Sequence, residues 1–476
     1  MCVNPNTNMN LGYLLDELIN IAQKPKTDFA ISMNMTPSGL SKILTGSRLP
    51  SLKEKKLFIQ QAADYFAESI YSHGCYLKLI NLFPVIYNFK AMDDLRTFLT
   101  YALEFAIDND TAEAHQINLE FNKRGFFYLG TTPVLNLLCI ILSHYINSCS
   151  DESLEVYSTI PTYDPAYSDI FLKTLLINPN KCTHVTLNQF FDGSIHESSI
   201  KGKGISLNFI SFSQRGFKLN LWSAASDLGQ PFLLIKGKLL LMFDSQIDGT
   251  PLLIPIIHRS YLNLFYNSLM NKDVQKISYG RDEVIEFLQN NAEVAAQVLE
   301  RGIDSVYNFL LIGYLLEKNE IESMEQAQEI KDFAWPLFQS ILNKQTQIFL
   351  SRKDLDQFAT SGKVIIPFIG TYSIPTEQRM AYMQRMNTYL QADEHGDKFK
   401  IIDNKLNNMA IIYIEKKCLI YAFDGEYALE KIHVFDTDKV KPMLDRLMLP
   451  SQTTALEFSG ELWQAYQEDL LSKIYV

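Results

Sequence analysis

The chain has 476 residues, of which 47% are hydrophobic and 12% aromatic, and its formal net charge is −11. This hydrophobic content excludes an intrinsically disordered protein. The length is too great for one ordinary hydrophobic core, so we expect a multidomain protein of α and α+β structure.

The cysteines and the apolar segments bear on the compartment. Six cysteines occur, and no two of them have the Cys-x-x-Cys spacing, which is typical of buried thiols in a reducing cytosol. The N-terminus lacks a basic segment followed by an apolar run, so no secretory signal is indicated. The longest apolar stretch, residues 133–142, is too short to span a bilayer. We therefore expect a cytoplasmic protein without membrane contact.

Short amphipathic helices are predicted at the N-terminus. Residues 11–23 carry leucine and isoleucine at helical spacing, and residues 26–33 form a second, shorter helix. Asn34 provides the turn after it, because asparagine tolerates a left-handed backbone better than most residues. Further helices over residues 51–70 close a small domain.

A third helix is predicted immediately after this turn. Thr36 is its N-cap, and Pro37 occupies the first helical position, where a missing N–H costs nothing. Gly46 ends the helix and Pro50 prevents its continuation. The inward positions are apolar, whereas the outward positions are small or polar: Ser38, Gly39, Ser41 and Lys42. A helix of this kind can lie in the major groove of DNA.

These residues resemble the helix-turn-helix of the lambda-repressor and Cro family, the Xre-type transcriptional regulators. The family pattern is a Gln-x-x-Leu-Ala helix, a Gly-Val-Ser turn, a Ser-x-Ile-Ser-x-Ile helix and a Gly-x-x-x-Pro exit, and it aligns here without a gap. The chain departs from it at Lys26, Asn34 and Leu44, where the family usually has Gln, Gly and a polar residue. The matching residues are Ala30, Met35, Thr36, Leu40, Ile43, Gly46 and Pro50. The resemblance implies a DNA-binding domain over residues 1–70.

The local charge agrees with this interpretation. The segment from Lys24 to Lys56 contains seven basic residues and two acidic ones, Asp28 and Glu54, so its net charge is +5. The rest of the chain therefore carries a net charge of −16. A basic island on an acidic body is expected where phosphate contacts supply the affinity. The basic residues are Lys24, Lys26, Lys42, Arg48, Lys53, Lys55 and Lys56.

The predicted DNA contacts fall into two groups. The outward face of the third helix is expected to face the bases, and the flanking turns are expected to touch phosphates. The first group is Ser38, Gly39, Ser41 and Lys42. Thr36, the N-cap of the helix, is also expected to contact DNA. The second group is Lys26, Thr27, Ser47 and Arg48.

Residues 71–150 are predicted to be helical throughout. Apolar residues recur there at a spacing of three and four, with Pro84 and Gly130 as punctuation. No heptad zipper is visible. We expect this segment to connect the N-terminal domain to the rest of the chain and to hold the contact of a homodimer.

From about residue 151 the pattern changes to β-rich runs followed by helices. We interpret residues 151–330 and 331–476 as two related α+β modules. Residues 231–244 align with residues 411–424 without a gap, with Lys236 on Lys416 and Phe243-Asp244 on Phe423-Asp424. The second copy loosely resembles the C-terminal regions of Firmicute-type regulators. The predicted strands are 183–187, 205–212, 231–244, 251–257, 348–351, 364–369, 409–424 and 431–436.

A search for catalytic motifs is negative. The eight histidines form neither a zinc spacing nor a metalloprotease motif, and no phosphate-binding loop or nucleophile elbow occurs. Lys201 to Gly204 is a short Gly-Lys turn. Asp244 and Asp424 recur in the repeat and are expected to form turns. We therefore expect no enzymatic activity and no cofactor or metal.

The sequence indicates a transcriptional regulator that binds double-stranded DNA. Its C-terminal region is expected to sense a small-molecule or peptide effector, and a homodimer would read two half-sites. Two alternatives stay open. One is an enzyme or anti-phage effector with an accessory helix-turn-helix, and the other is an interaction scaffold that has lost DNA binding.

Overall fold

The computed structural model divides into two compact units, residues 1–196 with 206–275, and residues 197–205 with 276–476. Its description covers residues 10–51, 53–114, 127–149, 152–160, 175–191, 218–225, 228–292, 294, 302–309, 311–325, 328–343, 345–366, 370–391, 399–402, 409–414, 416–423, 429–436 and 460–474.

The first unit begins with helices that follow the predicted apolar pattern. Helix α1 starts at the Asn10 side chain, which accepts a hydrogen bond from the backbone N–H of Tyr13 at 2.8 Å. It ends where Gln23 adopts a left-handed conformation with φ of 55°. The α-helices described over residues 10–149 are α1 (Leu11–Ala22), α2 (Lys26–Ser32), α3 (Pro37–Leu44), α4 (Lys55–Ser72), α5 (Met92–Ala114) and α6 (Thr131–Ser148).

The prediction of an all-helical segment over residues 71–150 is wrong in two places. Strand β1 (Val85–Tyr87) and strand β2 (Tyr128–Leu129) interrupt the helices. Strand β1 follows Pro84 and contains the β-branched residues Val85 and Ile86, and it pairs antiparallel with residues 175–177. This partner lies far along the chain, so local periodicity could not indicate the strand.

Helix α5 belongs to the N-terminal helical domain by packing, although it lies beyond residue 70. The Asp110 carboxylate accepts a hydrogen bond from the backbone N–H of Leu11 at 2.9 Å, at the start of α1. Asp108 pairs with Lys55, whose side chain is buried. The packed domain therefore extends to α5, because α5 supplies partners for both α1 and α4.

Helix α6 is buried on most sides. It packs against α5, β1 and β2, and Phe105 of α5 meets His144 edge to face at 5.4 Å between ring centroids. Because so little of α6 is exposed, the helix offers little surface for the dimer contact that we assigned to this segment.

An eight-stranded sheet completes the first unit, and helix α7 (Arg259–Met270) packs on one face of it. The order of its strands is β10-β6-β5-β3-β7-β8-β9-β2. Beyond β2, the strands of this unit are β3 (Leu154–Ser158), β4 (Leu175–Ile177), β5 (Val185–Phe191), β6 (Lys218–Ala224), β7 (Phe232–Ile235), β8 (Leu239–Ser245), β9 (Pro251–Ile256) and β10 (Val274–Lys276).

The second unit contains a seven-stranded sheet with the order β11-β19-β18-β17-β12-β13-β16, and β14 and β15 form a separate hairpin. Its strands are β11 (Ser278–Gly280), β12 (Ser305–Phe309), β13 (Gln347–Ser351), β14 (Lys363–Ile366), β15 (Gly370–Ser373), β16 (Phe399–Ile402), β17 (Met409–Ile414), β18 (Lys417–Phe423) and β19 (Leu429–Asp436). Its helices are α8 (Val284–Asn290), α9 (Lys318–Glu322), α10 (Gln328–Ile341), α11 (Arg352–Ser361), α12 (Thr376–Gln391) and α13 (Gly460–Ile474).

The two sheets have the same topology over seven strands. In each, an edge strand and a helix precede the central strand, two further strands lie parallel to it on one side, and an antiparallel meander lies on the other. The edge strands β2 and β11 both pair antiparallel with the last strand of the meander. Strand for strand, β2, β3, β5, β6, β7, β8 and β9 correspond to β11, β12, β13, β16, β17, β18 and β19.

The positions of the two modules differ from those predicted. Strand β12 is the central strand of the second sheet, yet it lies before residue 331 and was assigned to the first module. The reason is that no strand was predicted between residues 257 and 348, and the central position of β12 depends on its partners β13 and β17, which lie about 40 and 100 residues further along the chain.

The hairpin that revealed the repeat is present in both sheets, but its turns differ in length. Three residues separate the paired Ile235 and Leu239, and two residues separate the paired Ile414 and Lys417. A gapless alignment therefore cannot keep both strands of the hairpin in register. The predicted strand 205–212, the turn at 201–204 and Asp424 lie outside the described residues.

The C-terminus of α11 provides a test of the second unit. Gly362 has φ of +68°, and a Cβ there would overlap Arg379 and the Ile374 carbonyl. We expect Gly362→Ala to lower the free energy of unfolding by about 2–4 kcal/mol, because strain and overlap add. Gly302→Ala, at φ of +83° without such an overlap, isolates the strain. Denaturant unfolding measures both, and equal losses would contradict the overlap.

Buried His144 provides a test of the first unit. Burial lowers its pKa to about 4, so the folded state binds fewer protons than the unfolded state between about pH 4 and 6.5. Stability is therefore lost as the pH falls through this window, by about 3 kcal/mol from this residue. We expect His144→Leu to flatten the pH dependence of unfolding, whereas the exposed control His258→Gln keeps it. Identical profiles for the two variants would contradict this assignment.

Candidate nucleic-acid interface

The turn between α2 and α3 has the local geometry that the sequence predicts. Asn34 has φ of 50°, in the left-handed region. The Thr36 hydroxyl accepts a hydrogen bond from the backbone N–H of Gly39 at 3.1 Å, and Pro37 is the first helical residue. Gly46, with φ of 71°, follows the end of α3. These features fix where α3 begins and ends.

The inward face of α3 is held by the apolar core of the domain. Leu40 and Ile43 are buried, and the ring of Phe29 in α2 lies 4.7 Å from the ring of Phe66 in α4. Gly12 of α1 faces the C-terminal end of α3, where a Cβ would overlap the Leu44 carbonyl oxygen. The missing side chain at Gly12 lets the backbones of α1 and α3 approach closely.

The outward face of α3 is exposed. Ser38, Ser41 and Lys42 are exposed and Gly39 is half-buried. The main contacts of the helix are with α1 and α2, on its other side. The Thr36 hydroxyl already caps the helix, so its predicted role as a DNA contact competes with a structural one.

The residues expected to touch phosphates have different local partners. Thr27 donates to the Asp28 carboxylate at 3.4 Å, and the Ser47 hydroxyl lies 2.9 Å from that of Thr45. Arg48 is exposed. It contributes to lowering the pKa of Glu54, although the main cause is the hydrogen bond that Glu54 accepts from Ser51.

Lys26 is paired with Asp16 of α1, which the sequence analysis did not single out. The two residues line a groove of about 530 Å³ between α1, α2 and α3, together with Thr27 and Ser41. The structure thus brings three of the predicted contact residues to one groove. Asp16 was missed because α1 lies outside the segment whose charge was counted.

The charge of the folded domain is smaller than the local count suggests. Lys55 is only 6% exposed and pairs with Asp108, so it is not available to phosphates. Residues 10–72 include seven basic residues and six acidic ones. Five of the seven basic residues stay exposed, namely Lys26, Lys42, Arg48, Lys53 and Lys56.

The other candidate residues form no evident site. Among the described residues, no group of three or more His, Cys, Asp or Glu side chains could hold a metal ion. No described helix is long and apolar enough to cross a membrane. Asp244 is exposed at the end of β8. Asp354, which sequence patterns did not indicate, is 4% exposed at the start of α11, and burial raises its pKa to about 7.

Comparison with known proteins gives little. No family model and no curated protein matches the chain. Among solved structures, it is similar to TrmBL2, described as an archaeal chromatin protein with a novel mode of DNA binding, at 12% identity over 46% of this chain and 94% of that chain, with a TM-score of 0.20. A TM-score this low supports no statement about function.

The contact between α1 and α3 can be tested through Gly12. In most helix interiors a Gly→Ala change stabilises by about 0.5–1 kcal/mol. We expect Gly12→Ala instead to destabilise the domain by about 1–3 kcal/mol, because the new methyl group forces α3 away from α1.

Gly39→Ala is the matched control. A Cβ there would lie 3.2 Å from the Thr36 hydroxyl, which requires only a small shift of that side chain, whereas a Cβ at Gly12 would overlap backbone atoms. Thermal unfolding of the two full-length variants should therefore separate them. A Gly12→Ala variant as stable as the wild type would show that α1 and α3 do not approach in this way.

Proposed function

We propose that the N-terminal helical domain binds double-stranded DNA with α3 in the major groove, and that the chain is a sequence-specific transcriptional regulator. The observation that carries the proposal is the exposed small and polar face of α3, opposite a buried apolar face. The Thr36 cap and the close approach at Gly12 support it, since they hold this face in a fixed position.

The exposed residues suggest distinct roles in such a complex. Lys42 has the side chain most suited to read a guanine edge, while Ser38 and Ser41 are small enough to admit close contact with the bases. Arg48 is exposed just after α3, at a position suited to a phosphate contact. We assign Lys42 to sequence preference and Arg48 to general affinity.

The modest surface charge suggests that one domain binds DNA weakly. Each phosphate contact adds about 0.9 to the slope of log affinity against log salt concentration. Over residues 10–72 the seven basic residues are offset by six acidic ones. We therefore propose that a homodimer reads two half-sites about one helical turn apart. Helices α5 and α6 pack against other elements of the first unit, so we do not assign the dimer contact to them.

The two seven-stranded arrangements support a duplicated module in the remainder of the chain. We propose that these modules have an interaction or sensing role rather than a catalytic one. An effector could change DNA binding only by its differential affinity for two states of the protein.

A second candidate function is that of an interaction scaffold without DNA binding. Two features of the helical domain favour it. Its charge is nearly balanced, and the apolar side chains of Ile31 and Leu57 are 73% and 58% exposed. A contiguous apolar patch would mark a protein contact, and protein–DNA interfaces are more polar and more positively charged than protein–protein interfaces.

Binding of the full-length chain to labelled duplexes decides between the two candidates. We expect affinity for the region upstream of its own gene that falls steeply between about 50 and 200 mM salt. Lys42→Ala should cost about 1–3 kcal/mol on the preferred sequence and relax the preference, whereas Arg48→Ala should weaken binding to all sequences alike.

The two substitutions control for each other, since each removes one exposed cation from the same region. If both variants lost the same amount of binding free energy on every DNA sequence, the proposed docking of α3 in the major groove would be wrong. Absence of binding to any duplex, including the upstream region, would leave the scaffold as the better description.

A further inference from the structure

We propose that Asp16 is a positioning residue that competes with DNA phosphate for Lys26, and that it thereby limits the affinity of the domain for DNA. The inference rests on the proposed DNA binding and concerns the control of that same interface. It assigns a function to a residue of α1 that is expected to make no contact with DNA itself.

The geometry places the two charges beside the exposed face of α3. Lys26 at the start of α2 forms an ion pair with Asp16, and both line the groove that also contains Ser41 and Thr27. The side chains of Lys26 and Asp16 are 55% and 41% exposed, so the ammonium group is accessible to a phosphate without any rearrangement of the core.

The electrostatics make Asp16 a competitor rather than a partner in binding. A carboxylate in the groove repels an approaching phosphate and occupies the ammonium that would attract it. The single positive charge of Lys26 is then shared between two anions, which weakens its attraction for the phosphate. The nearly balanced charge of residues 10–72 increases the effect, because the acidic residues of this segment offset its other cations.

The expected size follows from the exposure of the pair. An exposed ion pair contributes about 0.2–1 kcal/mol, so its loss frees Lys26 at small cost to folding. The corresponding gain in DNA affinity is up to about fivefold. One newly engaged phosphate adds about 0.9 to the salt slope, a readout that a purely structural role for Asp16 would not move.

The test measures affinity and salt slope for full-length Asp16→Asn, Lys26→Gln and the double variant on one duplex. We expect Asp16→Asn to bind two- to fivefold tighter with a slope steeper by about one. The double variant should have the slope of Lys26→Gln, because the added contact requires the lysine.

Glu17→Gln is the matched control, since it removes the same charge from the next position of α1, and Glu17 does not line the groove. It should leave the slope unchanged. Equal changes for Asp16→Asn and Glu17→Gln would overturn the inference, because net charge alone would then explain both. The inference would also be overturned if Asp16→Asn raised DNA affinity by the same factor in the Lys26→Gln background as in the wild type.

The two proposals fail in different ways. If the wild type binds DNA but Asp16→Asn changes neither affinity nor slope, only the role of Asp16 is wrong. If neither the wild type nor Asp16→Asn binds any duplex, DNA binding and the role of Asp16 are both wrong. Thermal unfolding of each variant confirms that the compared proteins are folded.

Discussion

The buried ammonium group of Lys55 constrains the arrangement of the helical domain. A buried charge without a partner is strongly destabilising, and Lys55 finds its partner in Asp108 of α5. Asp110 of α5 also accepts a hydrogen bond from the backbone N–H of Leu11 at the start of α1. These two interactions fix α5 against α1 and α4. The position of α3 depends in turn on α1, through the close approach at Gly12. The exposed face of α3 is therefore held in place by a helix distant in sequence.

The repeated sheet topology places the rest of the chain in a simple scheme. Each copy begins with an edge strand and a helix, and this first strand pairs with the last strand of the copy. The first and last strands of each module therefore lie side by side at one edge of its sheet. Strand β10 belongs to the first sheet but has no counterpart among the described strands of the second. Along the chain, only Ile277 separates it from β11, which is the first strand of the second copy. The same order and directions of seven strands in both sheets show that their likeness extends beyond the two hairpins.

Local patterns predicted what local interactions determine. The bounds of α1 to α3, the cap at Thr36 and the left-handed Asn34 followed from residue types within a few positions of one another. Features set by distant partners were not accessible. Strand β1 requires residues 175–177, and the burial of Lys55 requires α5. The groove residue Asp16 becomes relevant only when α1 and α2 are placed side by side.

The bonds from α5 also set an order of events during synthesis. Chains fold as they leave the ribosome, in general from the N-terminus onward. Here the N–H group of Leu11 and the ammonium of Lys55 find their acceptors only at Asp110 and Asp108. The first helices therefore emerge well before their acceptors exist, and until α5 has been translated they lack the partners that complete their native packing. The surfaces of α1 and α4 that contact α5 in the folded protein thus stay uncovered until residues 92–114 have been translated.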